Sequence, residues 1–301
     1  MRTFEDKPAA RGNIPILLGL AGPSGSGKTC SALRLATGMQ KVVGGEIFVI
    51  DTESNRSLHY AGGQFKFRHL PFVAPFSPLD YLAAIEHCVK KGGKTIIVDS
   101  MSHEHEGPGG VLEMHDSETK RLAALWKSTT EAAQFAAWAE PKSQRQRLIN
   151  TILQLGVNAI FCFRSKEKTK PNPDKMAAKK DKLLSLGWMP ICGDNLIYEM
   201  TAALLLQPGS KGHPTIRSSR PGEQQWIKIP RQCESIFTGQ LNEKMGLELA
   251  TWGAGKTETP TITDTPAEPP PVEEDVPAAA GTGLLSRAAL LEPMPVDGED
   301  E

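Results

Sequence analysis

The sequence predicts an α/β fold, a mostly parallel sheet flanked by helices. Three observations carry that expectation. Residues 22–29 read Gly-Pro-Ser-Gly-Ser-Gly-Lys-Thr and fit the phosphate-loop pattern G-x-x-x-x-G-K-[ST] at every fixed position. The apolar run Ile16–Ala21 precedes this loop, and Ala32, Leu33, Leu35, Ala36 and Met39 follow at helical spacing. Further along, near-continuous apolar runs alternate with helical patterns, as expected of parallel strands buried on both faces.

Taken in order, strands are expected at Ile16–Leu20, Glu46–Ile50, Lys66–Leu70, Thr95–Val98, Ala159–Phe163 and Tyr198–Leu206. A helix is expected to start at Ser77, with Pro78 in its first turn and Asp80 three residues after the cap. The long Ala-rich stretch Leu112–Glu140 reads as one or two helices. Another helix is expected to start near Ser143, to bury Leu148, Ile149 and Ile152, and to stop at Gly156. The short runs His213–Arg217 and Trp226–Ile229 read as antiparallel C-terminal edge strands, and Leu241–Thr251 as a last helix.

The 301 residues are 39% hydrophobic, which suits a soluble globular chain. No apolar run approaches the ~18 residues of a membrane span, so no membrane role is expected. Met1–Asn13 is polar and mixed in charge and does not read as a secretory signal. Five scattered cysteines without a C-x-x-C pair read as reduced thiols in a cytoplasmic protein. The net charge of −1 hides an asymmetry: residues 256–301 carry 11 acidic and two basic side chains, leaving a body of net +8. A basic body with an acidic tail is compatible with nucleic-acid handling. The tail is rich in Pro and Glu and reads as disordered, because it has too little apolar surface to offset ordering entropy. Within it, Leu284–Leu291 could form a transient helix. The organisation expected is an N-terminal extension at 1–13, a nucleotide-binding domain at 14–252 and the tail at 253–301.

The motifs point to a nucleoside triphosphate and a divalent ion. Glycines let backbone N–H groups curl around phosphate at a helix N-terminus. Gly22, Pro23, Ser24, Gly25, Ser26, Gly27, Lys28, Thr29 and Cys30 are the expected nucleotide contacts, with Lys28 reaching the β/γ-phosphates. Thr29 and Asp99, the latter ending the apolar strand Lys94–Asp99, are the expected Mg²⁺ ligands. Hydrolysis also needs a group that activates water. Glu53, at the end of Glu-Ile-Phe-Val-Ile-Asp-Thr-Glu, is one candidate base, and Glu104 in Ser-His-Glu-His-Glu is its rival. Asp51 reads as a turn cap. His103, His105 and His115 do not read as a metal site, because His-x-His puts its rings on opposite sides of an extended chain. His103 reads rather as a nucleotide sensor or a loop cap.

The strand ending at Phe163 runs into a basic segment with eight cations between Arg164 and Lys182. Arg164 is a candidate catalytic contact to the γ-phosphate. Lys166, Lys168, Lys170, Lys175, Lys179 and Lys180 are candidate contacts to a nucleic-acid backbone. Gly253-Ala-Gly-Lys-Thr257 imitates half a phosphate loop, but Ala250 stands where the first glycine would be, so it reads as linker.

Together Gly22–Thr29, Asp51-Thr-Glu53, Val98-Asp99-Ser100 and the segment at Arg164 resemble a RecA-like P-loop NTPase core over about residues 14–252. The resemblance implies that Glu53 activates water and that Asp99-Ser100 form the metal-side pair. It also implies that Arg164 senses the γ-phosphate and that the loop Ser165–Lys182 contacts single-stranded DNA. The chain is similar, more closely, to phage-encoded AAA/RecA-like ATPases, some grouped with RecA-like single-strand annealing proteins. The shared features are Arg164-Ser-Lys166-Glu-Lys168 and Ala137-Trp138. It departs from RecA in having Arg rather than Gln at the sensor position, and it has no obvious N-terminal oligomerisation helix. The expectation is an ATP- and Mg²⁺-dependent ATPase acting on single-stranded DNA in phage recombination or replication, with a homo-oligomer and a protein partner of the acidic tail as further expectations. The alternatives are a nucleotide or small-molecule kinase, or an ATP-switched adaptor docking partners through its tail.

Overall fold

A computed structural model of the chain describes residues 3–127, 130–172 and 183–256. The acidic tail from residue 257, Leu284–Leu291 within it, and Lys175, Lys179 and Lys180 lie outside the described residues.

The chain runs β1 (Leu17–Gly22), α1 (Lys28–Val43), β2 (Glu46–Asp51), a 3-10 turn (Arg56–Tyr60), β3 (Arg68–Pro71), α2 (Pro78–Lys90) and β4 (Gly93–Asp99). It continues through α3 (His103–Glu106), α4 (Val111–Trp126), α5 (Thr130–Ala137), α6 (Ala139–Gln154), β5 (Asn158–Pro171) and β6 (Leu183–Pro190). It closes with α7 (Asp194–Tyr198), β7 (Ala202–Leu205), α8 (Pro221–Trp226) and α9 (Glu243–Gly253). The sheet order is β3-β2-β4-β5-β1-β7, all parallel, with β6 pairing antiparallel to the far end of β5.

Alternation within the strands divides the core in two. Ile16, Leu18, Leu20, Val49, Ile97, Ile160 and Cys162 pack against α1 and α9. Phe48, Ile50, Ile96, Val98, Phe161 and Phe163 face the other way, onto α2 and α6. Both faces are covered, so these strands read as continuous apolar runs. Among the described residues no helix is long and apolar enough to cross a membrane.

Local signals set several boundaries. Ser77 caps α2, its Oγ accepting from the Asp80 amide at 3.2 Å. Gly156, in the left-handed region at φ 66°, follows the end of α6. Helix α6 starts four residues earlier than expected. Pro141 falls in its first turn, where the missing N–H has no intrahelical partner to lose.

Three expectations are corrected. Tyr198–Leu206 is not one strand: Asp194–Tyr198 is helical, burying Leu196 and Ile197, and β7 begins only at Ala202. The C-terminal edge strands reduce to isolated bridges, Leu205 with Thr215 and Ala203 with Lys228. Pro214, Pro221 and Pro230 withhold amides there, and Trp226 ends α8. The segment after Phe163 is not a loop from Ser165: β5 continues to Pro171 and β6 returns antiparallel, which makes an arm. Gly253 closes α9 and Gly255 takes φ 70° beyond it, so Gly253–Lys256 forms a helix end.

Candidate functional site

The phosphate loop joins the C-terminal end of β1 to the N-terminus of α1, the end of a parallel sheet where ligands bind. Gly22 tolerates no side chain: a Cβ would collide with the Leu206 carbonyl and lie 2.6 Å from Ser26 Oγ. Gly27 turns the chain into α1 at φ 94°, a left-handed conformation that favours glycine. Lys28 Nζ donates to the carbonyls of Gly22 and Pro23, both at 2.8 Å, and burial lowers its pKa.

Thr29 Oγ1 donates to Asp99 Oδ2 at 2.5 Å. Asp99 ends β4 and is 5% exposed, and burial pushes its carboxyl up to about 6. A hydroxyl beside a desolvated carboxylate is an all-oxygen donor pair that suits a hard divalent ion such as Mg²⁺. Thr29 and Asp99 are therefore the residues that fit the ion, whose chemistry is to offset phosphate charge.

Glu53 is presented by a turn that Asp51 builds. Asp51 is buried; its Oδ1 accepts from the Glu53 amide at 2.8 Å, and its Oδ2 accepts from the Ser57 amide at 2.9 Å and from Ser57 Oγ at 2.6 Å. His69 Nε2 lies 3.4 Å from the same Oδ2. Between these anchors Ser54 and Asn55 are left-handed, at φ 57° and 62°. Thr52 ties the turn to β4: its Oγ1 accepts from the Ser100 amide at 2.7 Å and lies 2.8 Å from His103 Nδ1. Glu53 itself accepts Nε and an Nη of Arg164, both at 2.8 Å. Burial pushes the Glu53 carboxyl up, but the hydrogen bond and charge of Arg164, together with the charges of His103 and Arg56, outweigh it, and the net shift is downward.

These groups meet in one cavity of about 560 Å³. Pro23, Ser24, Gly25, Gly27, Lys28 and Thr29 form one wall, and Glu53, Asp99 and Arg164 stand over it. Cys30, Gly22 and Ser26 do not line it; Gly22 and Ser26 shape the loop from behind. Glu104 is not brought to the cavity. It is 1% exposed and held by Arg145 through bonds of 2.9 and 2.8 Å, which ties α3 to α6. The histidines are engaged separately: His103 stacks on Phe76, His105 meets Arg145, and His115 stacks on Trp138. The cavity also takes Arg56, Tyr60, Glu106 and Ile191, none of which the sequence reading singled out. Arg56 and Tyr60 follow Glu53 by three and seven residues, a helical-face spacing that could have found them. Ile191 arrives only through the return of β6, and nothing in its local sequence marks it.

A family model described as AAA domain matches residues 15–187, more than half the chain. The chain belongs to the AAA domain family. No curated protein matches it. A phosphate loop that binds nucleotide, on an α/β P-loop NTPase core, is what this AAA domain carries.

The AAA domain match extends into the arm. Along β5, Ile160 and Cys162 face α1, and by two-residue alternation Arg164, Lys166, Lys168 and Lys170 continue that same face. Glu167 falls on the opposite face, where it accepts from Ser185 Oγ at 2.9 Å and meets Arg220 at 3.4 Å. Lys166, Lys168 and Lys170 are exposed. At the arm's root, buried Glu223 accepts the Trp188 amide at 2.8 Å, and the Trp226 indole donates to the Trp188 carbonyl at 3.0 Å. The root is thus clamped to α8 while the lysine face stays open.

Proposed function

We propose that this AAA domain is a Mg²⁺-dependent ATPase that acts on single-stranded DNA, in the manner of RecA-like phage recombination or replication ATPases. In this reading Gly22–Thr29 hold the triphosphate, Thr29 and Asp99 hold the ion, and Glu53 takes a proton from the attacking water. The observation that carries the DNA half is the face of β5. Arg164 lines the nucleotide cavity, and Lys166, Lys168 and Lys170 continue its face outward on the same strand. A polyanion lying on those lysines would sit beside the guanidinium that holds Glu53, so its presence would be felt at the water-activating carboxylate.

The test is ATP turnover with Mg²⁺, with and without an oligonucleotide, on wild type and Lys28→Ala. The expected result is turnover in the wild type that rises with single-stranded DNA, and none in Lys28→Ala. Turnover indifferent to DNA, together with no salt-dependent DNA binding, would remove the DNA half. Phosphoryl transfer from ATP to a nucleoside monophosphate would replace hydrolysis by a kinase reaction.

A further inference from the structure

We propose that Arg56 is a catalytic residue, a cation supplied from within the same chain to the phosphoryl group being transferred. This rests on the ATPase reading above.

Among the described residues three cationic side chains line the nucleotide cavity: Lys28, Arg56 and Arg164. Lys28 belongs to the phosphate loop and donates to its carbonyls. Arg164 is committed, its Nε and one Nη donating to Glu53. Arg56 is exposed, its amide donates to the Glu53 carbonyl at 3.3 Å, and its side chain makes no hydrogen bond or ion pair with any described residue. Its charge is nonetheless felt at Glu53, where it helps to hold the carboxylate ionised. A guanidinium that faces a phosphate cavity, stands near the water-activating carboxylate and is bound to nothing else is placed to meet anionic oxygen.

The backbone leading to Arg56 argues the same way. Ser54 and Asn55 are consecutive non-glycine residues in the left-handed region. Side chains with a Cβ resist that conformation, and it persists where surroundings over-determine it, commonly at functional sites. Here the fork from buried Asp51 grips both sides of the kink, at the Glu53 amide and at Ser57. The kink reverses the chain between Glu53 and Arg56, so that both line one cavity three residues apart. A turn serving Glu53 alone would not need to deliver residue 56 to the same wall.

In hydrolysis the water oxygen bonds to the γ-phosphorus and its proton passes to Glu53. The bond to the bridging oxygen breaks, and its electron pair stays on the departing ADP. Arg56 makes and breaks no covalent bond. Its N–H groups offset the charge spread over the equatorial oxygens in the transition state, which is where such a donor has most effect.

The test compares full-length wild type, Arg56→Ala and Arg56→Lys in three measurements: turnover of Mg²⁺-ATP, affinity for a non-hydrolysable ATP analogue, and affinity for ADP with aluminium fluoride. Arg56→Ala is expected to lose about 100-fold or more in kcat while analogue affinity changes by no more than about threefold. Binding of ADP with aluminium fluoride should fall in parallel with kcat, and Arg56→Lys should recover part of both. The thermal midpoint of Arg56→Ala should match wild type, since the side chain supports no packing. Turnover in Arg56→Ala within about threefold of wild type overturns the assignment. Equal losses in kcat and analogue affinity also overturn it, since Arg56 then only binds the ground state. A wild type that binds ATP without hydrolysing it overturns the ATPase reading and this assignment with it. A wild type that hydrolyses ATP beside an equally active Arg56→Ala overturns this assignment alone.

Discussion

Arg164 and Glu53 stand 111 residues apart in sequence and are joined by two parallel hydrogen bonds of 2.8 Å. The pair bridges the turn after β2 and the point where β5 leaves the body of the sheet. A carboxylate held this way is oriented and ionised, and it is a weaker base than a free one. Whatever moves Arg164 changes the chemistry open to Glu53.

That dependence has a sign in pH. The Glu53 carboxyl lies below its ordinary value of 4.5 in the folded protein. Its pairing therefore adds stability above that value, lost as pH falls through the folded pKa. In Arg164→Gln the pairing goes and burial remains, so the pKa of Glu53 should rise. The acid limb of the turnover profile should then shift to higher pH than in wild type. A profile from pH 4 to 8 on both proteins checks it, and an unmoved limb would mean that another group sets it.

Asp99 gives the opposite sign. Burial raises its carboxyl to about 6, so between roughly 4 and 6 the folded state binds the proton that the unfolded state has released. Its contribution to stability falls as pH rises through that window. A divalent ion on Asp99 and Thr29 reverses the loss, because it competes with the proton for the same oxygen. The gain in thermal midpoint from added Mg²⁺ should be larger at pH 7.5 than at pH 5. Asp99→Asn should show neither the gain nor its pH dependence in paired thermal scans.

Glu104 and Glu53 are separated by opposite outcomes. Glu104→Gln weakens a buried pair and leaves Arg145 without a compensating charge, at a cost approaching about 3 kcal/mol. Its urea midpoint should drop while kcat of the folded protein stays near wild type. Glu53→Gln should keep its midpoint and its ATP affinity and lose about 100-fold or more in kcat. Urea titration and turnover on both variants check this pair of results.

The phosphate loop, the Asp99 strand and the Glu53 strand were legible because each motif is contiguous and its role depends on local geometry. So was Asp51 as a turn cap, because Asp at a strand end hydrogen-bonds amides a few residues on. The arm was hidden. Lys166–Lys170 is polar at every position and shows no alternation of apolar with polar residues, so nothing marks it as a strand until β6 is seen pairing with it. The Glu53–Arg164 and Glu104–Arg145 pairs were equally hidden, because long-range contacts follow from strand order, and the six charged residues described around the cavity alone allow many pairings. Glu104 and Glu53 look alike in sequence; only burial against α6 separates them.

The lysine face of β5 makes a quantitative expectation about DNA. Lys166, Lys168 and Lys170 follow one another about 6.8 Å apart along the strand, a ridge one side chain wide. Among the described residues of the arm no aromatic ring shares that face: the paired residues of β6 are Met189, Gly187 and Leu184. Binding there should rest on phosphate charge, with little stacking and little base preference. Three phosphate contacts on a single strand predict a slope of about −2 in log K against log salt. Changing all three lysines to alanine should flatten the slope by that amount and weaken binding to every sequence alike. Anisotropy titrations of labelled oligonucleotides across a salt series measure both. A triple variant with the wild-type slope would move the DNA surface off the described part of β5.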